Sequence, residues 1–188
     1  MGLVNITDPE NMVIIDMNGY SWTNSYDIAF EINGGTLILK DSTESGNSEV
    51  YAASDVIVPV TGSFSATGIT FKTEASGCDS FFIKGGNITI DNCNLIATNA
   101  AVHNDNRNGA NVVVYGGTYS AADAFKVRNN GSIQVCDFVG DVSVDIQKGC
   151  TAEWGFADAF EAGWGYKVSF DDVAARTDID AGTGLSTT

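Results

Sequence analysis

Short alternating runs of apolar residues, separated by turns rich in glycine and asparagine, recur along this chain. Residues 30–41 show the pattern clearly, with an apolar alternation on each side of Gly34-Gly35. Because a period of two places alternate side chains on one face of a strand, the pattern predicts short strands with one buried face. It returns three more times, the last with one inserted residue: in 81–92, in 112–119 (less fully) and in 125–135.

The spacing of these runs separates a solenoid from a set of hairpins. Gly-Gly and Asn-Gly are also hairpin turns, but the strands form two interleaved series. The strands after the turns recur at steps of 19, 24 and 21 residues: Ile69/Phe71, Ile88/Ile90, Val112/Val114 and Ile133/Val135. The strands before the turns recur similarly: Phe81/Ile83, the region of Val102, Phe125/Val127 and Val144/Ile146. Val112 and Val114 fit both series, so the register around 99–111 stays open.

Recurrence at this interval is typical of a solenoid, in which each strand pairs with its counterpart one coil away. We predict an all-β, right-handed, single-stranded parallel β-helix (β-solenoid) with about 20–24 residues per coil, since parallel crossovers are overwhelmingly right-handed. The composition agrees. The 15 Ile and 17 Val against 5 Leu favour strands, and 16 Asn, 17 Asp and 21 Gly favour turns.

We expect three segments along the chain. Residues 1–150 contain the coils and an N-terminal lead-in, and residues 177–188 are a small, polar, flexible tail. Residues 151–176 are an aromatic-rich C-terminal cap or oligomer contact. Their aromatic residues are candidates for cap packing, for a protein interface or for stacking on sugars: Trp154, Phe156, Phe160, Trp164 and Tyr166.

Two phrases in the first coils resemble a known repeat. Residues 15–20 (Ile-Asp-Met-Asn-Gly-Tyr) and 32–42 (Ile-Asn-Gly-Gly-Thr-Leu-Ile-Leu-Lys-Asp-Ser) resemble the pectate-lyase-like right-handed β-helix repeats of gut Firmicutes surface proteins and of virion proteins of their phages. Met17 and Ile38 depart from the usual Leu and Thr. The clear match covers residues 12–45, with weaker echoes to about 147. The resemblance implies the fold, but the superfamily includes lyases, hydrolases, adhesins and phage spikes.

The longest polar loop carries the one histidine of the chain, His103, followed by Asp105 and Arg107. An acid that orients a histidine and an arginine that binds a carboxylate would suit a site for acidic sugars, so these three are candidate catalytic residues. The alternative is an extended corner loop rich in turn formers. That alternative is favoured because no recognisable motif fixes a second carboxylate opposite.

We expect no metal and no cofactor. Asn104, Asn106 and Asn108 have the rhythm of a calcium loop, but Asn stands where Asp is needed and Tyr115 where Glu is needed. The four cysteines, Cys78, Cys93, Cys136 and Cys150, contain no Cys-x-x-Cys pair and are expected to be buried thiols.

The charge balance excludes some partners. With 9 Lys and Arg against 24 Asp and Glu, a net charge of −15, the chain lacks the basic face that nucleic-acid binding requires. It also has no apolar run of about 18 residues, so we expect no membrane partner.

These observations together favour a non-enzymatic structural or adhesive β-helix protein, a phage virion surface component such as a capsid decoration or fibre protein. The first residues lack the basic and apolar segments of a signal peptide, which suits release by lysis. By analogy with phage β-helices we expect a homotrimer, with the major capsid protein or a host-surface glycan as partner. The alternatives are a fragment of a bacterial cell-surface adhesin that binds glycans, and a polysaccharide lyase or hydrolase acting on acidic sugars.

Overall fold

The structure is a computed structural model that describes residues 2–43, 46–136, 138, 141–154, 166–169, 175–180 and 184–186. This part of the chain is all-β, and it contains no helix that could cross a membrane. Its twenty strands are β1 (Val4–Ile6), β2 (Met12–Asp16), β3 (Ser21–Asn24), β4 (Phe30–Lys40), β5 (Glu49–Ala52), β6 (Ile57–Thr67), β7 (Thr70–Thr73), β8 (Phe81–Ile83), β9 (Gly86–Asp91), β10 (Asn94–Ile96), β11 (Ala100–Asn104), β12 (Ala110–Tyr115), β13 (Thr118–Ser120), β14 (Asp123–Val127), β15 (Ser132–Val135), β16 (Asp141–Ile146), β17 (Thr151–Trp154), β18 (Tyr166–Ser169), β19 (Ala175–Asp180) and β20 (Gly184–Ser186).

Two sheets surround the core, and the larger one covers two faces of the molecule. The long strands β4 and β6 pass from the first face to the second, since the opening half of β4 pairs with β1 and its closing half with β2. The first face also contains β8, β11, β14 and β16, and the second contains β9, β12, β15 and β17. The third face is the separate five-stranded sheet of β3, β5, β7, β10 and β13.

Successive coils pair in parallel, which confirms the predicted β-solenoid. On the first face the coil length ranges from 27 residues, between Phe30 and Ile57, to 19 residues, between Phe125 and Val144. The first five coils have strands on all three faces, and the next two have described strands on the first and second faces only. The molecule is therefore a stack of about five complete turns.

One run belongs to a different face from the one predicted. The sequence prediction groups Ile69 and Phe71 with the strand of Ile88. The structure instead pairs Ile88 with Phe64 on the second face, whereas Phe71 pairs with Leu95 on the third. The error arises because strands on all three faces share the same alternation of apolar residues, so alternation alone does not identify the face.

The open register around residues 99–111 has a single solution. Val112 pairs with Ile88 on the second face, and Val102 pairs with Phe81 on the first. Val112 and Val114 therefore belong to one series, because β11 supplies the first-face strand of that coil.

Stacked apolar side chains fill the interior. Phe64, Phe71 and Phe81, from the three faces, meet edge to face with ring centroids 4.9 to 6.3 Å apart. Each is almost fully buried, and burying one such side chain contributes about 1.5–3 kcal/mol. The alternation seen in the sequence thus corresponds to inward columns that continue from coil to coil.

Glycines form a column at the corner between the first and second faces. Gly35, Gly62 and Gly86 all have positive φ, of 66°, 82° and 96°. A Cβ added to Gly62 would lie 2.5 Å from the carbonyl oxygen of Gly35, and one on Gly86 would lie 2.4 Å from that of Gly62. The coils therefore stack here so closely that only glycine fits.

The C-terminal strands run against the direction of the coils. β18 pairs antiparallel with β17, β19 with β16, and β20 with β19. β17 itself continues the second face in parallel with β15. The predicted division at residues 150 and 176 stays a prediction, because residues 155–165 and 170–174 lie outside the described part.

None of the four cysteines, all of which lie in the described part, forms a disulfide. Cys93, Cys136 and Cys150 are buried, as expected, whereas Cys78 is only half-buried, contrary to the prediction. Burial raises the pKa of the Cys93 thiol to about 11, so this thiol stays protonated and inert at neutral pH.

Candidate functional site

The predicted site residues lie on the first face and at the corner that follows it. Val102 and Asn104 of β11 are fully buried, so the alternation of the strand turns His103 to the outside. His103 lies in register with Phe82 of the preceding coil and Lys126 of the following one. Its ring centroid is 5.0 Å from that of Phe82, and its side chain is only 13% exposed.

The partner of His103 is Asp79. The imidazole Nδ1 lies 2.8 Å from a carboxylate oxygen of Asp79. The other oxygen of that carboxylate accepts hydrogen bonds from Asn99 Nδ2 at 2.7 Å and from the backbone N–H of Ala100 at 2.8 Å. Because a carboxylate accepts, His103 donates through Nδ1, and Asp79 fixes both the tautomer and the orientation of the ring.

The opposite side of the His103 ring is closed. Its Nε2 is buried and has no hydrogen-bond partner within the described residues. A histidine oriented by a carboxylate has the form of a general base, but such a base must reach the proton that it abstracts. In this arrangement Nε2 has no contact with solvent through which a substrate could approach.

A second carboxylate extends the contacts of Asp79 to the coil before it. The carboxylate of Asp55 accepts the backbone N–H of Asp79 at 2.8 Å. Burial raises the pKa of Asp55 above its ordinary value, and the nearby Asp79 carboxylate acts in the same direction. Asp55, Asp79 and His103 therefore tie three successive coils together.

Two lysines border this cluster. Lys126 Nζ lies 3.3 Å from the side-chain oxygen of Asn99, and Lys84 Nζ lies 5.4 Å from the ring centroid of Phe82. The outside of the first face thus combines an aromatic ring, a histidine and two cations around the buried Asp79 carboxylate.

Asp105 and Arg107 form a separate contact at the corner. Asp105 is 6% exposed, and its backbone N–H donates to the Ile83 carbonyl at 2.8 Å. Asn129 Nδ2 donates to the Asp105 carbonyl at 2.7 Å, and the Asp105 carboxylate pairs with Arg107 Nε. The structure therefore divides the predicted trio: His103 contacts Asp79, and Asp105 holds the turn to the coils on either side.

The asparagines of the calcium-like rhythm also bond between coils. Asn104 Nδ2 donates to the Ser132 carbonyl at 2.8 Å, and Asn108 Nδ2 donates to the Val60 carbonyl at 3.2 Å. Such bonds satisfy backbone groups at a corner where the strands break. Within the described ranges, no group of three or more His, Cys, Asp or Glu side chains is placed to hold a metal ion.

The predicted interface residues are only partly covered by the structure. The backbones of Trp154 and Tyr166 pair in register between β17 and β18. Phe156, Phe160 and Trp164 lie outside the described residues.

Sequence reasoning found His103 but missed Asp55, Asp79 and Asn99. A signal was present, because Asp55 precedes Asp79 by 24 residues and Asp79 precedes His103 by 24 residues. That interval lies within the predicted coil length, so the three side chains occupy neighbouring coils. The sequence prediction pairs His103 with Asp105 of its own loop, whereas the solenoid places its partner Asp79 one coil away.

Comparison with protein-family models, with curated proteins and with solved structures returned no match. The fold and the site thus define a class, a parallel β-solenoid whose polar residues bond from coil to coil. The resemblance to pectate-lyase-like repeats rests on the sequence phrases alone.

Proposed function

We propose that this chain is a non-enzymatic structural or adhesive β-helix protein of the pectate-lyase-like type, a component of a phage virion surface such as a capsid decoration or fibre protein. In this proposal it assembles as a homotrimer through the aromatic-rich C-terminal segment, and it contacts the major capsid protein or a host-surface glycan.

The observation that carries the non-enzymatic part is the separation of the three candidate catalytic residues. His103 is paired with the buried Asp79 and has no open nitrogen, and Asp105 is paired with Arg107 and bonded to Asn129. His103 and Asp105 both bond to residues of neighbouring coils, which suits a structural role better than a site that must bind and release a substrate.

The remainder of the proposal is supported by the architecture and by the sequence phrases. Parallel coils stacked around a continuous apolar core form the extended, repetitive surface that is typical of solenoid proteins. The phrases at 15–20 and 32–42 resemble repeats of phage virion proteins and of bacterial surface proteins. The trimer rests on analogy with phage β-helices.

The test of the non-enzymatic proposal is turnover of acidic polysaccharides. The full chain is incubated with a panel of uronate polymers, and both unsaturated products and new reducing ends are measured. We expect no turnover. Any turnover would contradict the proposal, and the variants His103→Ala, Asp105→Ala and Arg107→Ala would then show whether the predicted trio carries it.

A further inference from the structure

An open cleft lies at the corner between the first and second faces, beside the turn that carries Arg107. Its volume is about 400 Å³. The lining residues include Gly86, Ala110 and Gly131, none of which carries more than a methyl side chain. Polar side chains of Asn87, Asn111, Asn130 and Ser132 also line the cleft.

The parallel register brings these polar groups together. Asn87 of β9 pairs with Asn111 of β12, and Ser132 begins β15 on the next coil. All three are exposed, and neighbouring coils place them about 4.8 Å apart. Asn129 and Asn130, with φ of 55° and 57°, form the tight turn that brings Asn130 to the same opening.

These four side chains have hydrogen-bonding capacity that the protein does not use. Within the described part of the chain, the side chains of Asn87, Asn111, Asn130 and Ser132 make no hydrogen bond. The neighbouring Asn106 is different. Its Nδ2 donates to the Asn129 carbonyl at 3.0 Å, and its Oδ1 accepts from the Ala110 backbone N–H at 2.7 Å. Asn106 therefore lines the cleft with both ends of its amide already hydrogen-bonded within the protein.

The cleft is lined by no ionisable side chain, in a protein of net charge −15. An anion would be repelled by the whole molecule and would find no cation in the lining. An amide offers both donors and an acceptor, and a hydroxyl is both donor and acceptor, so amides suit adjacent sugar hydroxyls. The small lining residues Gly86, Ala110 and Gly131 leave room for a sugar ring beside these polar side chains.

We propose that this cleft binds a neutral saccharide, with Asn87 and Asn111 hydrogen-bonding its hydroxyl groups. The inference rests on the adhesive role proposed above and assigns that role a site. The residues that line the cleft do not include His103, Asp105 or Arg107, so its binding is tested independently of turnover.

The experiment is saturation-transfer difference NMR on the full chain. The probes are methyl glycosides of glucose, galactose, mannose and N-acetylglucosamine, with methyl glucuronide as the charged comparison. The variants are Asn87→Ala and Asn111→Ala, which remove exposed amides that make no hydrogen bond within the described residues. Asn11→Ala, also an exposed amide, is the matched control on a distant coil.

We expect at least one neutral glycoside to bind more tightly than the glucuronide. Asn111→Ala should weaken that binding about tenfold, because it removes one or two hydrogen bonds, and Asn11→Ala should leave it unchanged. The melting temperature of each variant should match that of the parent chain. Failure of every neutral glycoside to bind, preference for the glucuronide, or binding that Asn87→Ala and Asn111→Ala leave intact would each overturn the inference.

The outcomes separate this inference from the proposed function. A trimeric, inactive protein that binds no neutral glycoside would overturn the saccharide site and leave the structural role standing. A monomeric protein that binds a neutral glycoside through Asn111 would retain the site and contradict the virion assembly.

Discussion

At the scale of single residues, many buried polar groups of this molecule form hydrogen bonds from one coil to the next. The Asp79 carboxylate alone bonds to His103, Asn99 and Ala100. A buried carboxylate with several donors is well satisfied, but a second carboxylate beside it is in a less favourable environment. Asp55 is that second carboxylate. The pH dependence of the free energy of unfolding therefore measures how much its charge destabilises the folded state.

Asp55→Asn should stabilise the protein at neutral pH. Burial raises the pKa of Asp55 above its ordinary value of 3.8, so the folded state holds this proton more tightly than the unfolded state. The stability contributed by the protonated form is present below pH 3.8 and is lost as the pH rises through the folded pKa. Asn keeps the acceptor for the Asp79 N–H without the charge, and the gain should be about 0.5 kcal/mol, limited by solvent screening.

Urea unfolding at pH 7 and at pH 3 measures this difference. The gain should be present at pH 7 and absent at pH 3, where Asp55 is protonated in both states. Asp16→Asn is the control of opposite sign, because hydrogen bonds from Ser42 lower the pKa of Asp16. Asp16→Asn should lose stability at pH 7 relative to pH 3. A loss at pH 7 in Asp55→Asn would show that its charge is favourable.

Gly62→Ala should be strongly destabilising. The φ of Gly62 is 82°, and a Cβ there would lie 2.5 Å from the carbonyl oxygen of Gly35. This oxygen belongs to the backbone of the neighbouring coil, so it cannot move aside as the end of a flexible side chain could. Gly68→Ala is the matched control, since its φ is 69° but a Cβ would meet nothing within 4 Å. The control measures the conformational cost alone, about 1 kcal/mol.

Thermal and urea unfolding of the two alanine variants provide the comparison. We expect Gly62→Ala to lose about 2 kcal/mol or more beyond Gly68→Ala, because the collision adds to the backbone cost. Equal losses would mean that the coils are not closely stacked at this corner.

At the scale of the strand, the sequence predicts alternation and recurrence but not the identity of each face. Leu37 and Leu39 on one side of Gly34-Gly35 were recognisable as a buried alternation, and the structure buries both. The sequence prediction assigns Ile69 and Phe71 to the wrong face. Phe64, only five residues earlier, belongs to an equally regular apolar alternation, and it is Phe64 that pairs with Ile88. Coil lengths that vary from 19 to 27 residues also blur the period.

The candidate site was predictable only in part for the same reason. His103 stood out as the one histidine, but its partner Asp79 belongs to another coil. Asn87 and Asn111 come together only through the register of β9 with β12. Contacts between coils depend on register, and register is fixed by the turns of every coil together.

Ile90→Asp should abolish folding, because Ile90 is fully buried on β9 and the variant places an unpaired charge in the core. The cost exceeds about 5 kcal/mol, which is comparable to the whole stability of a domain. Ile90→Val, which removes one methylene, should still fold and lose about 0.5–1.5 kcal/mol. Circular dichroism with urea unfolding measures both.

Thr89→Asp is the matched control on the same strand, since Thr89 points to the opposite side. Its cost should stay within about 1 kcal/mol, the range of strand propensities. If Thr89→Asp unfolded the protein while Ile90→Asp did not, the inward and outward faces of β9 would be reversed.

At the scale of the whole molecule, the two ends of the stack differ. The C-terminal coils are joined by antiparallel strands, β18 on β17 and β19 on β16. At the other end β1, β2 and β3 each pair on one side only within the described ranges, and Met12, Ile14 and Tyr26 are 65%, 57% and 93% exposed. The proposed trimer forms through the C-terminal segment, so we expect the open strands at the N-terminal end not to be needed for it.

The most direct test of that role is the solution mass of the full chain, measured by light scattering. The account predicts a trimer, about three times the chain mass of 19.8 kDa. The double variant Phe160→Ser with Trp164→Ser should reduce it to a monomer, and Tyr26→Ser, at the opposite end, should leave the trimer intact. A parent chain that is monomeric, or a trimer that survives the double variant unchanged, would contradict assembly through the aromatic segment.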